Sequence, residues 1–398
     1  MKQSFILRRF RLQIVVLIAV FSLSVHAQDK TKWPNGMSDD PSYFPLAVWL
    51  QEPSNAERYQ EVGINLYYGL WEGPTEAQVS LLERAGMPVI CELNDYAIKH
   101  LDKEVFVGWH AQPDEPDNAQ PDGKGGYGPC VDPEIIKDNY SKTKEIDPTR
   151  PVFLGLGVGI AYPPARLRGS ECAGDTLKYY QYTKGADVVH YDIYPVAGPP
   201  TMRAKDQLRY VAKGIDNLRR YSSYEKPVWM AMETARIREH GSVPEPYQVE
   251  AEIWMVIIHG AKGIVYFPYR MFPDRSETGL LEDEKMKEAI TKTNSRIKEL
   301  APVINSPDVK GAVKYREKWF DQTIDLMVKH YDGAYYIFAV EMYGERFDAT
   351  FELDESVVKG KRVEVLYEDR DIEIRDGVFS DSFTGKGGYT YHIYKISE

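Results

Sequence analysis

The chain has 398 residues, 43% of them hydrophobic, enough for a large core built as one large domain plus a smaller one. Its formal net charge of −11 excludes the basic surface a nucleic-acid binder needs, so no nucleic-acid partner is expected. Aromatic residues make up 12%, with 28 Tyr and 7 Trp, rings that fill cores and also stack on sugar faces.

Residues 1–27 read as a signal peptide: a basic stretch with Lys2, Arg8, Arg9 and Arg11, an apolar run from Ile14 to Val25, then Val25-His26-Ala27 as a cleavage site before Gln28. The apolar run is short for a transmembrane span, so the expectation is an exported protein, periplasmic or secreted, with no membrane span after cleavage. Of the three cysteines, Cys91 lies in an apolar run and is expected to be a buried thiol. Cys130 and Cys172 fall in polar loops and could pair in an oxidising compartment. No CxxC or His/Cys cluster suggests zinc, and no cofactor motif is seen.

From residue 44 to about 300, short apolar runs alternate with amphipathic stretches. The runs are Phe44–Trp49, Ile64–Tyr68, Pro88–Cys91, Val105–Trp109, Val152–Leu156, Val188–Tyr191, Val228–Met232 and Gly263–Phe267. Helical stretches between them include Thr75–Arg84, Pro133–Glu145, Lys205–Arg220, Tyr247–His259 and Glu282–Leu300. This alternation predicts a buried parallel sheet, and eight repeats predict a (β/α)8 TIM barrel over residues 28–302. Beyond it, Ile324–Lys329 and Tyr335–Val340 flank an Asp332-Gly333 hairpin turn. Thr350–Leu353, Val363–Tyr367, Ile372–Ile374 and Tyr389–Tyr394 continue the strand pattern, so residues 303–398 are expected to form a small all-β sandwich.

A barrel of this type carries its site at the C-terminal ends of its strands. The residues there are Trp49; Tyr68, Trp71 and Glu72; Glu92, Asn94 and Asp95; Trp109, His110, Asp114 and Glu115; Tyr191, Asp192 and Tyr194; Glu233; and Tyr266, Tyr269 and Arg270. Glycoside hydrolysis needs two carboxyl groups on opposite sides of the scissile bond, one protonated and one ionised. Glu115 after strand four and Glu233 at the end of strand seven meet that need across the ring. Glu92 and Asn94 are read as substrate-contacting or supporting polar groups, Asp192 as orienting a neighbour or capping its loop, and His110 as wall contact or structural histidine. Strand alternation sends roughly half of the rings into the wall and half toward sugar. Trp71 and Tyr269, in loops, are the candidate stacking platforms. Arg270 is either gripped by loop carboxylates such as Asp274 or aimed at an anionic sugar.

Gly108-Trp109 leading to Asp114-Glu115-Pro116, Lys226-Pro-Val-Trp-Met-Ala-Met-Glu233, and the Tyr191-Asp-Ile-Tyr-Pro195 strand end resemble the motifs of the clan A glycoside hydrolases. That resemblance implies Glu115 as acid/base, Glu233 as nucleophile, retention at the anomeric carbon, and a carboxyl separation of about 5–5.5 Å. Asp114 stands where many such families carry Asn, and an Asp accepts but does not donate a hydrogen bond to a sugar hydroxyl. Two functions from different classes follow: a retaining hydrolase of polysaccharide or oligosaccharide, and an inactive barrel that binds glycans for an uptake system. Both have a carbohydrate as partner. The sequence leaves open the sugar, its linkage and the oligomeric state.

Overall fold

Eight parallel strands close into a barrel in sequence order: β1 (Leu46–Trp49), β2 (Leu66–Tyr68), β3 (Val89–Cys91), β4 (Phe106–His110), β5 (Val152–Leu156), β6 (Val188–Asp192), β7 (Val228–Glu233) and β8 (Ile264–Phe267). They coincide with the eight apolar runs. The structure, a computed structural model, describes residues 32–162, 175–198, 207–317 and 323–398. The expected signal peptide and Cys172 lie outside them. Cys91 is a buried free thiol, and Cys130 is half of a disulfide.

The helices are α1 (Ala56–Glu61), α2 (Glu76–Ala85), α3 (Asp95–Lys99), α4 (Pro133–Ile146), α5 (Thr176–Tyr182), α6 (Tyr210–Tyr221), α7 (Pro246–Ile258), α8 (Gly279–Glu282) and α9 (Glu284–Asn305). Strand alternation divides the core in two. Ala47, Leu66, Tyr68, Val107, Phe153, Val188, Trp229, Ala231 and Val265 fill the barrel interior. Val48, Tyr67, Tyr191, Met230, Met232 and Tyr266 face the helices. In β4 a register shift between Val89 and Ile90 of the neighbouring strand breaks the alternation, and Phe106 and Trp109 both face the helix layer. Among the described residues, no helix is long and apolar enough to cross a membrane.

The C-terminal region holds β9 (Val313–Glu317), β10 (Ile324–Tyr331), β11 (Ala334–Glu341), β12 (Phe347–Leu353), β13 (Arg362–Val365), β14 (Arg370–Glu373), β15 (Val378–Phe383) and β16 (Tyr391–Ser397). They form antiparallel sheets of order β10-β11-β16-β13-β14 and β15-β12-β9. The β10–β11 turn has Asp332 at φ 48° and Gly333 at φ 68°, the two positive angles that a tight hairpin requires. The barrel and these sheets share one core: Trp254 of α7 stacks on Phe338 at 5.9 Å, and Tyr391 lies 5.4 Å from the same ring. His259 adds a polar tie, bonding Asp216 of α6 at 3.0 Å and Asp325 of β10 at 2.8 Å.

Candidate active site

A cavity of about 480 Å³ opens at the C-terminal ends of the strands. Its wall includes Trp49, Asp114, Glu115, Asn118, Tyr127, His190, Asp192, Tyr194, Arg238 and Phe267. Three acids from two strand ends thus reach one space: Asp114 and Glu115 after β4, and Asp192 at the end of β6.

Glu115 owes its place to the loop. Its φ of +41° is left-handed, unusual for a side chain of that size, and turns the chain sharply after Asp114. The turn is closed by Asn118 N–H to Glu115 C=O at 2.9 Å and by Gln120 Nε2 to the same oxygen at 3.0 Å. Buried Asp117 fastens the loop to the end of β5, accepting Gly157 N–H at 2.8 Å and the Tyr179 hydroxyl at 3.0 Å. Burial lifts the Asp117 carboxyl to about 6 against those bonds. Gly157 leaves the room: a Cβ there would lie 2.6 Å from Asn118 Nδ2 and 3.0 Å from Glu115 Oε1.

Trp49 and His190 line the cavity, and further aromatic and imidazole rings pack around them. Trp49 stacks on Tyr68 at 5.0 Å and meets His110 and His190 edge-on. The Tyr68 hydroxyl bonds His190 Nε2 at 2.7 Å. Burial lowers His190 to about 3, helped by His110, and lowers His110 to about 4. Both imidazoles are therefore neutral at ordinary pH, and this wall carries no cation.

Glu233 stands apart. Alternation that sends Trp229 and Ala231 into the barrel would send Glu233 the same way. Its carboxyl instead accepts Val196 N–H at 2.7 Å and Ala197 N–H at 2.6 Å, from the chain after β6, and touches Glu252 of α7. Glu233 is wholly buried and is not among the residues of the cavity wall. The link between them is Tyr194, which lines the cavity, bonds Asp192, and feels the charges of Asp114 and Glu233.

The other expected site residues divide by strand parity. Trp49, Tyr68 and Tyr194 belong to the cavity or the rings behind it. Trp109, Tyr191 and Tyr266 are corrected to the helix-facing layer, away from sugar. Their polar atoms are committed there, to Asp147 at 2.8 Å for Trp109, to the Val211 carbonyl for Tyr191, and to Asn294 at 2.6 Å for Tyr266. Trp71 and Tyr269 do not form platforms in this cavity. Trp71 Nε1 bonds the Tyr269 hydroxyl at 3.0 Å, and Tyr269 is itself buried, its hydroxyl donating to the Leu50 carbonyl. Asn94 caps α3, accepting Ala97 N–H at 3.0 Å and donating to Pro74 C=O at 2.9 Å. With Glu92 and His110 it borders a separate recess of about 470 Å³ beside β4. Arg270 is held by Asp274 at 2.9 Å and Glu282 at 2.8 Å, which leaves it an anchor of its own loop. Sequence reasoning missed Asn118, Tyr127 and Glu252. Glu252 alone left a signal, an acid inside the apolar run Ala251–Ile258. Among the described residues, no group of His, Cys, Asp and Glu is arranged to hold a metal ion.

Residues 165–303 match the family model of glycoside hydrolase family 42, described as β-galactosidase. The matched segment contains Asp192, Glu233 and Glu252 but not Glu115. No curated protein matches the chain. Among solved structures, a family 42 β-galactosidase from G. stearothermophilus, in a catalytic-mutant form, aligns at a TM-score of 0.57 with 8% identity, covering 90% of this chain and 98% of that one. An α-amylase from Lactobacillus plantarum aligns at a TM-score of 0.50 with 12% identity, covering 89% and 99%. At such identities the likeness is one of fold. The family segment, set in a closed barrel whose strand-end motifs resemble those of clan A, makes this chain a glycoside hydrolase of the (β/α)8 kind, with no single family assigned.

Proposed function

We propose that the protein is an exported retaining glycosidase acting on a polysaccharide or its oligosaccharides, with Glu115 as acid/base and Glu233 as nucleophile. The observation that carries the reading is the pairing of unlike environments. Glu115 sits at an open cavity wall where it can exchange a proton with a leaving group and then with water. Glu233 sits at the β7 end, where burial raises its carboxyl and two backbone N–H donors pull it back toward the ionised form. Two carboxyls in such different surroundings are what double displacement uses. The neutral His190 and Trp49 wall suits the apolar face of a sugar ring. Attack requires the Glu233 carboxylate to be uncovered by displacement of Tyr194 and the chain at Val196–Gly198. The basic, apolar and small-residue pattern of residues 1–27 supports export.

One observation favours a second assignment within the same reaction class. Asp192 lines the cavity with Glu115, whereas Glu233 does not. In that version Asp192 is the ionised partner, and Glu233 braces the β6–α6 chain from behind. The inactive glycan-binding barrel remains the contrasting class. Incubation with a polysaccharide panel and product sizing separates enzyme from binder. Glu115→Ala tests the acid/base role: turnover should fall by about 10²–10⁴ and be partly restored by azide on substrates with good leaving groups. Full activity in that variant would move the site elsewhere.

A further inference from the structure

Glu252 is the one carboxylate on the barrel-facing side of an otherwise apolar stretch of α7, where Val249, Ala251, Ile253, Trp254, Met255, Val256 and Ile257 are all buried. It is wholly buried, and neither of its oxygens meets an N–H or O–H donor among the described residues. Left ionised there, it would be a buried charge without compensation, which is strongly unfavourable. Its polar neighbour is the Glu233 carboxyl, equally buried. Two ionised carboxylates in contact in a dry interior repel strongly, so the pair must hold a proton.

The backbone decides where that proton resides. Glu233 Oε1 and Oε2 each accept a short N–H bond, from Val196 at 2.7 Å and Ala197 at 2.6 Å, and such bonds stabilise the anion. Glu252 has none. The other titratable groups facing the pair are Tyr191, whose hydroxyl donates to the Val211 carbonyl, and Tyr194, which bonds Asp192. Both phenols are held neutral by burial, and no Lys, Arg or His contributes to either glutamate among the described residues.

We propose that Glu252 is a positioning residue for Glu233: its neutral carboxylic acid donates a hydrogen bond to the Glu233 carboxylate, so the buried pair carries one negative charge and keeps it on the β7 side. The sequence of effects is consistent. Burial raises Glu252 well above the carboxylate range, with the Glu233 charge adding to the rise. Burial also raises Glu233, though only to about 7, because the two N–H groups and Glu252 pull it back. Glu252 thereby supplies a third donor to a group that must be anionic to act, without bringing a cation or water into the core. The kinetic part of this inference rests on Glu233 being the nucleophile, but the location of the proton does not.

Two measurements test it on the full chain. Infrared titration at pH 8 should show a buried carboxylic-acid C=O band in the wild type and in Glu233→Gln, and lose it in Glu252→Gln. A band that survives Glu252→Gln and vanishes in Glu233→Gln would place the proton on the wrong residue and overturn the proposal. In kinetics, Glu252→Gln retains a donor and should stay within about threefold of wild-type kcat with an unmoved acid limb. Glu252→Leu removes the donor and should move the acid limb of kcat/KM upward by about one pH unit, the worth of one charge-assisted bond. If Glu252→Gln abolishes turnover while the protein stays folded, or if its acid limb shifts as far as that of Glu252→Leu, Glu252 acts as an ion and the proposal fails. A chain with no glycosidase activity at all would leave the infrared result standing as the test of the pair.

Discussion

The mouths of strands four and seven are built from the same materials and solve opposite problems. At β4 the carboxyl is delivered by a loop: Glu115 adopts a left-handed backbone and leans over Gly157 at an open cavity wall. At β7 it is delivered by the sheet: Glu233 is the last rung of a regular ladder, paired with Phe267 and pinned by two N–H groups. A loop lets a group trade protons with solvent and leaving group, while a ladder fixes one that must keep its charge and position. The contrast also shows that equal strand-end placement does not mean equal access.

The sharpest way to break this comparison is to neutralise each inner acid in turn. Glu233→Gln should lower kcat by at least about 10³ with substrate binding largely kept, as expected for loss of a nucleophile. Asp192→Asn should cost about tenfold, because an uncharged amide oxygen is a weaker acceptor for the Tyr194 hydroxyl. Stopped assays and equilibrium binding on both variants check this. The reverse ranking would hand the ionised role to the acid that lines the cavity.

The acidity of the β7 carboxyl gives the next test. Glu233 is raised to about 7 by burial, so kcat/KM should fall as pH drops through about 7, well above the ordinary carboxylate range. The stability sign is opposite. A carboxyl whose folded value exceeds its unfolded one stabilises the fold at low pH and loses that contribution as pH rises from about 4.5 through about 7. Glu233→Gln should therefore gain thermal stability relative to wild type at pH 8 and not at pH 4, by up to about 3 kcal/mol. A Tm difference that does not depend on pH would contradict the buried-acid account.

A smaller effect probes the seam between barrel and β domain. Burial opposes a charge on His259, but Asp216 and Asp325 outweigh it and raise the imidazole to about 9. This tie is fully present below pH 6.5, the unfolded value, and is lost as pH rises through about 9. Because both aspartates are half-exposed, His259→Ala should cost only about 1–2 kcal/mol at pH 6 and less at pH 9, read by denaturant titration. Smallest of all, Arg270→Ala should change kcat/KM less than about threefold on neutral and anionic polymers alike, since the side chain is already held by Asp274 and Glu282.

Much of the architecture was legible because it is periodic. Near-continuous apolar runs separated by amphipathic stretches have few solutions other than a parallel barrel, and Asp332-Gly333 announced its hairpin. The strands β9 and β15 escaped notice because β9 offers only Val313 and Tyr315 as apolar positions and Asp381 sits between Phe379 and Phe383 on the inward face of β15. In the site, strand ends pointed to Glu115, Asp192 and Glu233. Parity within a strand was harder to read, since one register slip in β4 turns Trp109 outward, and Tyr191 and Tyr266 fall on the odd side of theirs. Glu252 and Asn118 were not found, because their importance comes from what packs against them across long stretches of chain.

The central claim is that the anchored carboxylate of β7, not the cavity-lining acid of β6, attacks the sugar. It is tested most directly by trapping. An activated fluoro-sugar, of the type the protein turns over, should form a slowly hydrolysed glycosyl-enzyme, and mass spectrometry of its peptides should locate the label. The account predicts the ester on Glu233, with none formed in Glu233→Gln. A label on Asp192, or no covalent adduct together with inversion of the product's anomeric configuration, would contradict it.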